Sequence, residues 1–293
     1  MSRPIPDLDE FKRELWLALG EAPPGGSLSA AIRTKESVVD GIRFVEHEFN
    51  NRWNEKVALT VAEPAERRWS NPVIAIHQTN DMGRREVFGV VGDPALESGV
   101  SPATRGHRVF ATDLFMTGDR AHGARWDNPR FYGQFPRWSM IGKMVLDLED
   151  LITVMRRDFG EASPLRLIGH SMGGILAYFY TALSGGVERL VCNASYLGPP
   201  EDSNPWKAQL YTARVLNADI GGRCIADEIE LVISLAGRNA KLLLAAYTDD
   251  VIFFKPMPTP QRIKRFGAYG QGVQYLQLNG PHGFPRAVRE ASY

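Results

Sequence analysis

Residues 165–180 read LRLIGHSMGGILAYFY and place Ser171 between Gly169 and Gly173, where a strand-like apolar run gives way to a helix-like one. A sharp turn around that serine is open to the chain because glycines two positions before and two after remove side chains that would collide. The turn lifts the hydroxyl above the carboxyl end of a sheet, where open α/β sheets bind ligands. A helix starting near Gly173 aims its N–H groups and positive dipole end at the same point, which favours an anion there. The chemistry such an arrangement serves is nucleophilic attack on a carbonyl.

A serine hydroxyl needs a base to attack at neutral pH. The chain has 6 histidines. His282, in NGPHGFP, follows the last predicted strand and satisfies the chain order nucleophile, acid, histidine. His47 and His107 fall in or beside strands and read as structural or exposed. His170 lies inside the turn, with its side chain expected to point away from the serine, and His122 sits in the polar loop GDRAHGARWDNPR. The base needs an orienting acid. LLLAAYTDDVIFF ends a predicted strand with Asp249 and Asp250. Neighbouring residues point opposite ways, so only one of the two can face His282. The phenylalanine spacing in DVIFF favours Asp250, and Glu201 and Asp202 are more distant alternatives. An oxyanion needs two donors: the N–H of Met172, and one from Gln78 or Thr79 in IAIHQTNDMG, residues 74–83.

The elements that must position these residues follow a clear alternation. PVIAIHQ, HRVFATDLF, LRLIGH, RLVCNASYL, KLLLAAYTDD and GVQYLQLNG are short apolar runs of the kind buried on both faces of a parallel sheet. Helical patterns separate them, the clearest at 142–160 and 173–186. Upstream, VVDGIRFVEHEF and KVALTVAEP alternate apolar and polar residues and read as two antiparallel edge strands. The expectation is an α/β fold with a doubly wound, mostly parallel sheet of about eight strands. Residues 1–293 read as one domain, in which 1–37 form an N-terminal helix and linker. Residues 199–238 carry helical patterns without a clear strand and read as a small helical lid or cap insertion.

Composition narrows the function classes. The 293 residues include 34 basic and 34 acidic side chains, a balance that gives no sign of a nucleic-acid or membrane-surface partner. No apolar run approaches the ~20 residues needed to span a bilayer, and MSRPIPDLDEFKRELW lacks the apolar core of a secretory signal. Cys192 and Cys224 form neither a disulfide framework nor a metal-binding pair. The expectation is a soluble, cytoplasmic protein that needs no metal or organic cofactor, and a homodimer is compatible with it. Asp113, at the end of a central strand, reads as a brace for neighbouring loops, and the aromatic and basic stretch 118–138 as a surface loop or a pocket wall.

With IHQTND, VFATDLF, GHSMGG, YTDDVIFF and GPHGFP in this order, the chain resembles the α/β-hydrolase superfamily over roughly residues 38–293. GRREVFG and GPHGFPRAVREASY look like the dienelactone-hydrolase and acetylxylan-esterase-like branch, although dienelactone hydrolase uses a cysteine where Ser171 stands. Esterase patterns with a doubled aspartate favour Asp249, so both acids stay in play, with Asp250 preferred. Relatives often have His-Gly where this chain has His77-Gln78, and the Gln78 side chain is expected to fill part of the pocket. The resemblance implies a serine hydrolase that cleaves a small-molecule carboxylic ester, lactone or thioester through an acyl-enzyme on Ser171. Competing readings are an acyltransferase on the same residues and a non-catalytic ligand-binding protein on this fold.

Overall fold

A computed structural model of the protein describes residues 7–20, 26–64, 70–121, 128–197, 218, 224–250 and 258–291. Strands β1 (Ile32–Val39), β2 (Ile42–Asn50), β3 (Lys56–Pro64), β4 (Ser70–Ile76), β5 (His107–Thr112), β6 (Leu165–His170), β7 (Val187–Asn193), β8 (Lys241–Tyr247) and β9 (Val273–Leu278) join in one sheet. Its order is β1-β2-β3-β5-β4-β6-β7-β8-β9. The pairings from β1 through β5 are antiparallel, and from β5 onward all are parallel.

The sheet has nine strands among the described residues rather than about eight, and the difference lies in VVDGIRFVEHEF. Asp40 and Gly41 both take positive φ, 49° and 75°. They form a two-residue hairpin turn that sets Val39 opposite Ile42. Asp-Gly suits such a turn because both central residues must be left-handed. The apparent single strand is therefore the end of one strand and the whole of the next. β1 is exposed along its entire length, so no apolar alternation marked it.

The parallel strands alternate their side chains between two apolar layers, as strand geometry requires. Ile74, Leu167, Leu190 and Leu244 face one layer, and Val73, Ile168, Val191 and Ala245 the other. Helix α1 (Leu8–Leu19), capped by Asp7, buries Phe11, Leu15 and Leu19 in the first layer. The short helices α2 (Arg84–Val87) and α3 (Val100–Thr104) contribute Val87 and Ala103 to the second. After α4 (Asn128–Gln134), helix α5 (Met140–Phe159) runs from a Ser139 cap to a left-handed Gly160 in the first layer. Helix α6 (Met172–Leu183) is buried from Met172 to Ala182 and packs against α5 and the later helix α7 (Ile229–Asn239). α8 (Pro260–Arg265) precedes β9, and α9 (Arg286–Glu290) adds Val288 to the second layer. No helix among the described residues is long and apolar enough to cross a membrane.

Residues 229–238, which the sequence placed at the end of the insertion, belong to α7, the crossover helix that leads into β8. Apart from Ala218 and residues 224–228, the remainder of the 199–238 segment lies outside the described residues. The fold brings the ends of β4, β6, β7, β8 and β9 to one edge of the sheet.

Candidate active site

At the end of β6 the chain enters α6 through Ser171, whose backbone stands at φ 54° and ψ −121°. A non-glycine residue there costs about 1–3 kcal/mol and persists only when its surroundings hold it. The surroundings are specific. A Cβ at Gly169 would collide with the backbone of Gly173, and one at Gly173 would collide with the carbonyl oxygen of Ile76. Gly174 has the same need for space against Ser195. The Ser171 N–H donates to the carbonyl of Asn193 at 2.8 Å. Its own carbonyl accepts from Gly174 and Ile175, starting α6. Met172 precedes those two donors at the helix N-terminus, where N–H groups lack an intrahelical acceptor.

His282 and Asp250 meet directly, with Nδ1 of the imidazole 2.6 Å from Oδ2 of the carboxylate. A carboxylate only accepts, so Nδ1 donates and Nε2 is the basic nitrogen. Asp250 is buried, whereas the neighbouring Asp249 is exposed and its backbone N–H donates to the Gly280 carbonyl. The His282 ring lies 4.7 Å, centroid to centroid, from the ring of His170, the residue before Ser171. Phe284 stacks on the other partner of that pair, 5.2 Å from His170. Burial, and then the nearby His282, hold His170 well below the ordinary histidine pKa. The residue before Ser171 is thus a neutral wall beside the His282 ring. Glu201 and Asp202 lie outside the described residues.

The loop after β4 is pinned by His77, which is almost fully buried. Its Nδ1 is 2.7 Å from the Gln78 carbonyl and donates to it. Its Nε2 faces the Leu114 N–H at 3.4 Å and the Thr117 hydroxyl at 3.1 Å. Burial, against the attraction of Asp113, keeps this histidine below its ordinary pKa. Because the peptide is planar and trans, holding the Gln78 carbonyl turns the Thr79 N–H to the opposite side. The carbonyls of Ile76 and His77 press on Gly173, so this loop and Met172 share one corner. The Gln78 side chain donates to Glu86 at 3.0 Å. Burial, against that bond, raises the Glu86 pKa.

Asp113 binds together the loops around this corner. It accepts from the Arg84 N–H at 2.7 Å and the Asp119 N–H at 3.0 Å and pairs with the Arg84 guanidinium. In the described part of 118–138, Arg120, Phe131 and Trp138 are buried, whereas Asp119, Gly133, Gln134, Pro136 and Arg137 are exposed. Arg120 pairs with Asp147 at 2.7 Å and Glu55 at 2.5 Å. Lys143 reaches the same Glu55 oxygen at 2.7 Å beneath the rings of Trp53, Phe115 and Phe135. His122 lies outside the described residues. His47 packs its ring on Phe159, and His107 bonds the Asn71 carbonyl. Among the described residues no group of three or more His, Cys, Asp or Glu could hold a metal ion.

Sequence reasoning passed over Asn193 and Tyr247. The signal was a single amide at the end of the apolar run RLVCN, a polar residue where burial demands partners.

Residues 103–252 match the family described as serine aminopeptidase, S33, which is just over half of the chain. No curated protein sequence matches significantly. Among solved structures, the chain is similar to acetyl xylan esterase from Paenibacillus sp. R4, with 16% identity and a TM-score of 0.59 over 99% of this chain and 94% of that one. It is similar to acetyl xylan esterase 1 from Thermoanaerobacterium sp. JW/SL YS485, with 13% identity and a TM-score of 0.58 over 100% and 96%. A cold-adapted esterase from an Arctic intertidal metagenomic library gives 13% identity and a TM-score of 0.56 over 86% and 91%. At these identities the structural likeness speaks for the fold, and the sequence match supplies the family. The chain belongs to the serine aminopeptidase S33 family of the α/β-hydrolase superfamily.

Proposed function

We propose that this protein hydrolyses a small-molecule carboxylic ester, lactone or thioester by two-step acyl transfer. Ser171 Oγ attacks the carbonyl carbon while His282 Nε2 takes its proton. Asp250 orients the imidazole and stabilises its charged form. The carbonyl oxygen becomes an anion facing the Met172 N–H and the N–H of Thr79 or Gln78. The peptide orientation set by His77 favours Thr79. The leaving alcohol or thiol departs with the proton from His282. Water, deprotonated by the same nitrogen, attacks the acyl-enzyme and releases the acid, restoring Ser171. The atoms balance without a metal or organic cofactor. The chain carries 2 cysteines, too few for a disulfide framework, which suits a reducing, cytoplasmic setting.

The observation that carries this reading is the conjunction of the strained Ser171 turn with the His282–Asp250 pair at the same edge of the sheet. The test is turnover of a panel of p-nitrophenyl esters of short acids by the wild type and Ser171→Ala. The expected result is measurable hydrolysis that falls on the order of 10⁴-fold or more in the variant. Ester binding without turnover by a folded wild type would favour a ligand-binding protein. Transfer of the acyl group to an added alcohol in preference to water would favour an acyltransferase.

A further inference from the structure

Asn193 closes β7, between the strand that delivers Ser171 and the strand that leads to Asp250. It is fully buried, an unfavourable place for an amide unless its polar atoms are bonded. The side-chain nitrogen donates to the Gly283 carbonyl at 2.6 Å and to His170 Nδ1 at 2.8 Å. The side-chain oxygen accepts from the Tyr247 hydroxyl at 2.5 Å. The backbone carbonyl accepts the Ser171 N–H. A carbonyl cannot donate, so Gly283 fixes which end of the amide faces it. That in turn makes His170 Nδ1 an acceptor and puts the His170 proton on Nε2.

The Asn193 carbonyl also accepts from the Ser195 hydroxyl at 2.7 Å, but each of the other four bonds reaches a segment that carries one of the reacting groups. Gly283 is the residue after His282, and its carbonyl is the anchor of that loop on β7. His170 is the wall against which the His282 ring stands. Tyr247 ends the strand three residues before Asp250. The Ser171 N–H belongs to the nucleophile itself. We propose that Asn193 is a positioning residue that holds the His282 loop in register with Ser171. The proposal rests on the reading of Ser171, His282 and Asp250 as the reacting set.

The test uses the full chain and two variants, Asn193→Ala and Tyr247→Phe, with a fluorophosphonate as probe and a p-nitrophenyl ester as substrate. Labelling is followed both as a rate and as a final stoichiometry. Asn193→Ala is expected to label slowly but to completion, about 100-fold below the wild type, the scale of loss for a base displaced by about an ångström. Its kcat should fall by a similar factor, with KM within about threefold, and the loss should be uniform across the pH profile because the base is unchanged. Tyr247→Phe keeps both donors of the Asn193 amide but leaves its oxygen without the Tyr247 hydroxyl, and its labelling rate should fall about three- to tenfold. A purely structural role would give a different pattern: a reduced final stoichiometry with an unchanged rate for the molecules that do react. That pattern overturns the proposal. If Asn193→Ala fails to fold, Tyr247→Phe decides, and a wild-type labelling rate in a folded Tyr247→Phe overturns it. A wild type that neither labels nor turns over overturns the triad reading and this proposal with it. A reactive wild type with an undiminished Asn193→Ala overturns this proposal alone.

Discussion

At the scale of single residues, Asp249 and Asp250 show why adjacent side chains with the same chemistry have different fates. One is exposed, and the other is buried against an imidazole. Asp250→Asn removes the charge that stabilises the imidazolium and lets the wrong tautomer persist, so kcat should fall on the order of 10⁴-fold. Asp249→Asn touches neither and should leave kcat within about threefold. Ester kinetics on the two variants check this, and equal losses would contradict it. The glycine spacing around Ser171 and the place of His282 in the chain order are local features that a sequence displays. The choice between two neighbouring aspartates is not, because it depends on how β8 ends relative to a loop 32 residues further on. Asn193 shows in the sequence only as a lone amide ending RLVCN, and what it does there was not legible for the same reason: its partners come from three other segments.

At the scale of elements, the strand-to-helix turn tolerates almost no added volume. Gly169→Ala places a methyl group against the Gly173 backbone, which has no flexible side chain to yield. Such overpacking costs about 1–3 kcal/mol or more, and urea unfolding should show at least that loss together with lost esterase activity. A stable, active Gly169→Ala would contradict the close approach of Gly169 to the Gly173 backbone. The charges of Glu55, Arg120, Lys143 and Asp147 form a second linked group, which α5 shares with the loops before β3 and after β5. Burial opposes the charge on Asp147, but Arg120 and then Lys143 outweigh it and hold the carboxyl below its ordinary pKa. Arg120→Met leaves Asp147 buried without its guanidinium partner and should cost about 3–5 kcal/mol, read as a lower urea midpoint. Strand β6 and its neighbours were legible because continuous apolar runs are what a doubly covered strand requires. β1 was not, because an exposed edge strand carries no such pattern.

At the scale of the whole molecule, four of the histidines link stability to pH in the same direction. Burial is the leading cause that lowers the pKa of His47, His77, His107 and His170. In the unfolded chain they take up protons as pH falls through about 6.5. In the folded protein they do so only at lower pH, so the unfolded state gains protons first. Their contribution is fully present above about pH 6.5 and is lost as pH drops toward the folded values, by up to about 1.4 kcal/mol per pH unit for each histidine that stays neutral. Asp150, raised to about 6 by burial, acts in the opposite direction below that pH. The informative quantity is therefore the difference between the wild type and His170→Phe. Urea unfolding from pH 7.5 to 5.5 should show the variant losing stability less steeply as pH falls. Parallel curves would contradict the neutral state assigned to His170.

The central claim is that Ser171 is an activated nucleophile, and intact-mass labelling with a fluorophosphonate tests it most directly. One adduct per chain is expected on the wild type and none on Ser171→Ala. A folded wild type that takes no adduct, or a Ser171→Ala variant that still takes one, would contradict it.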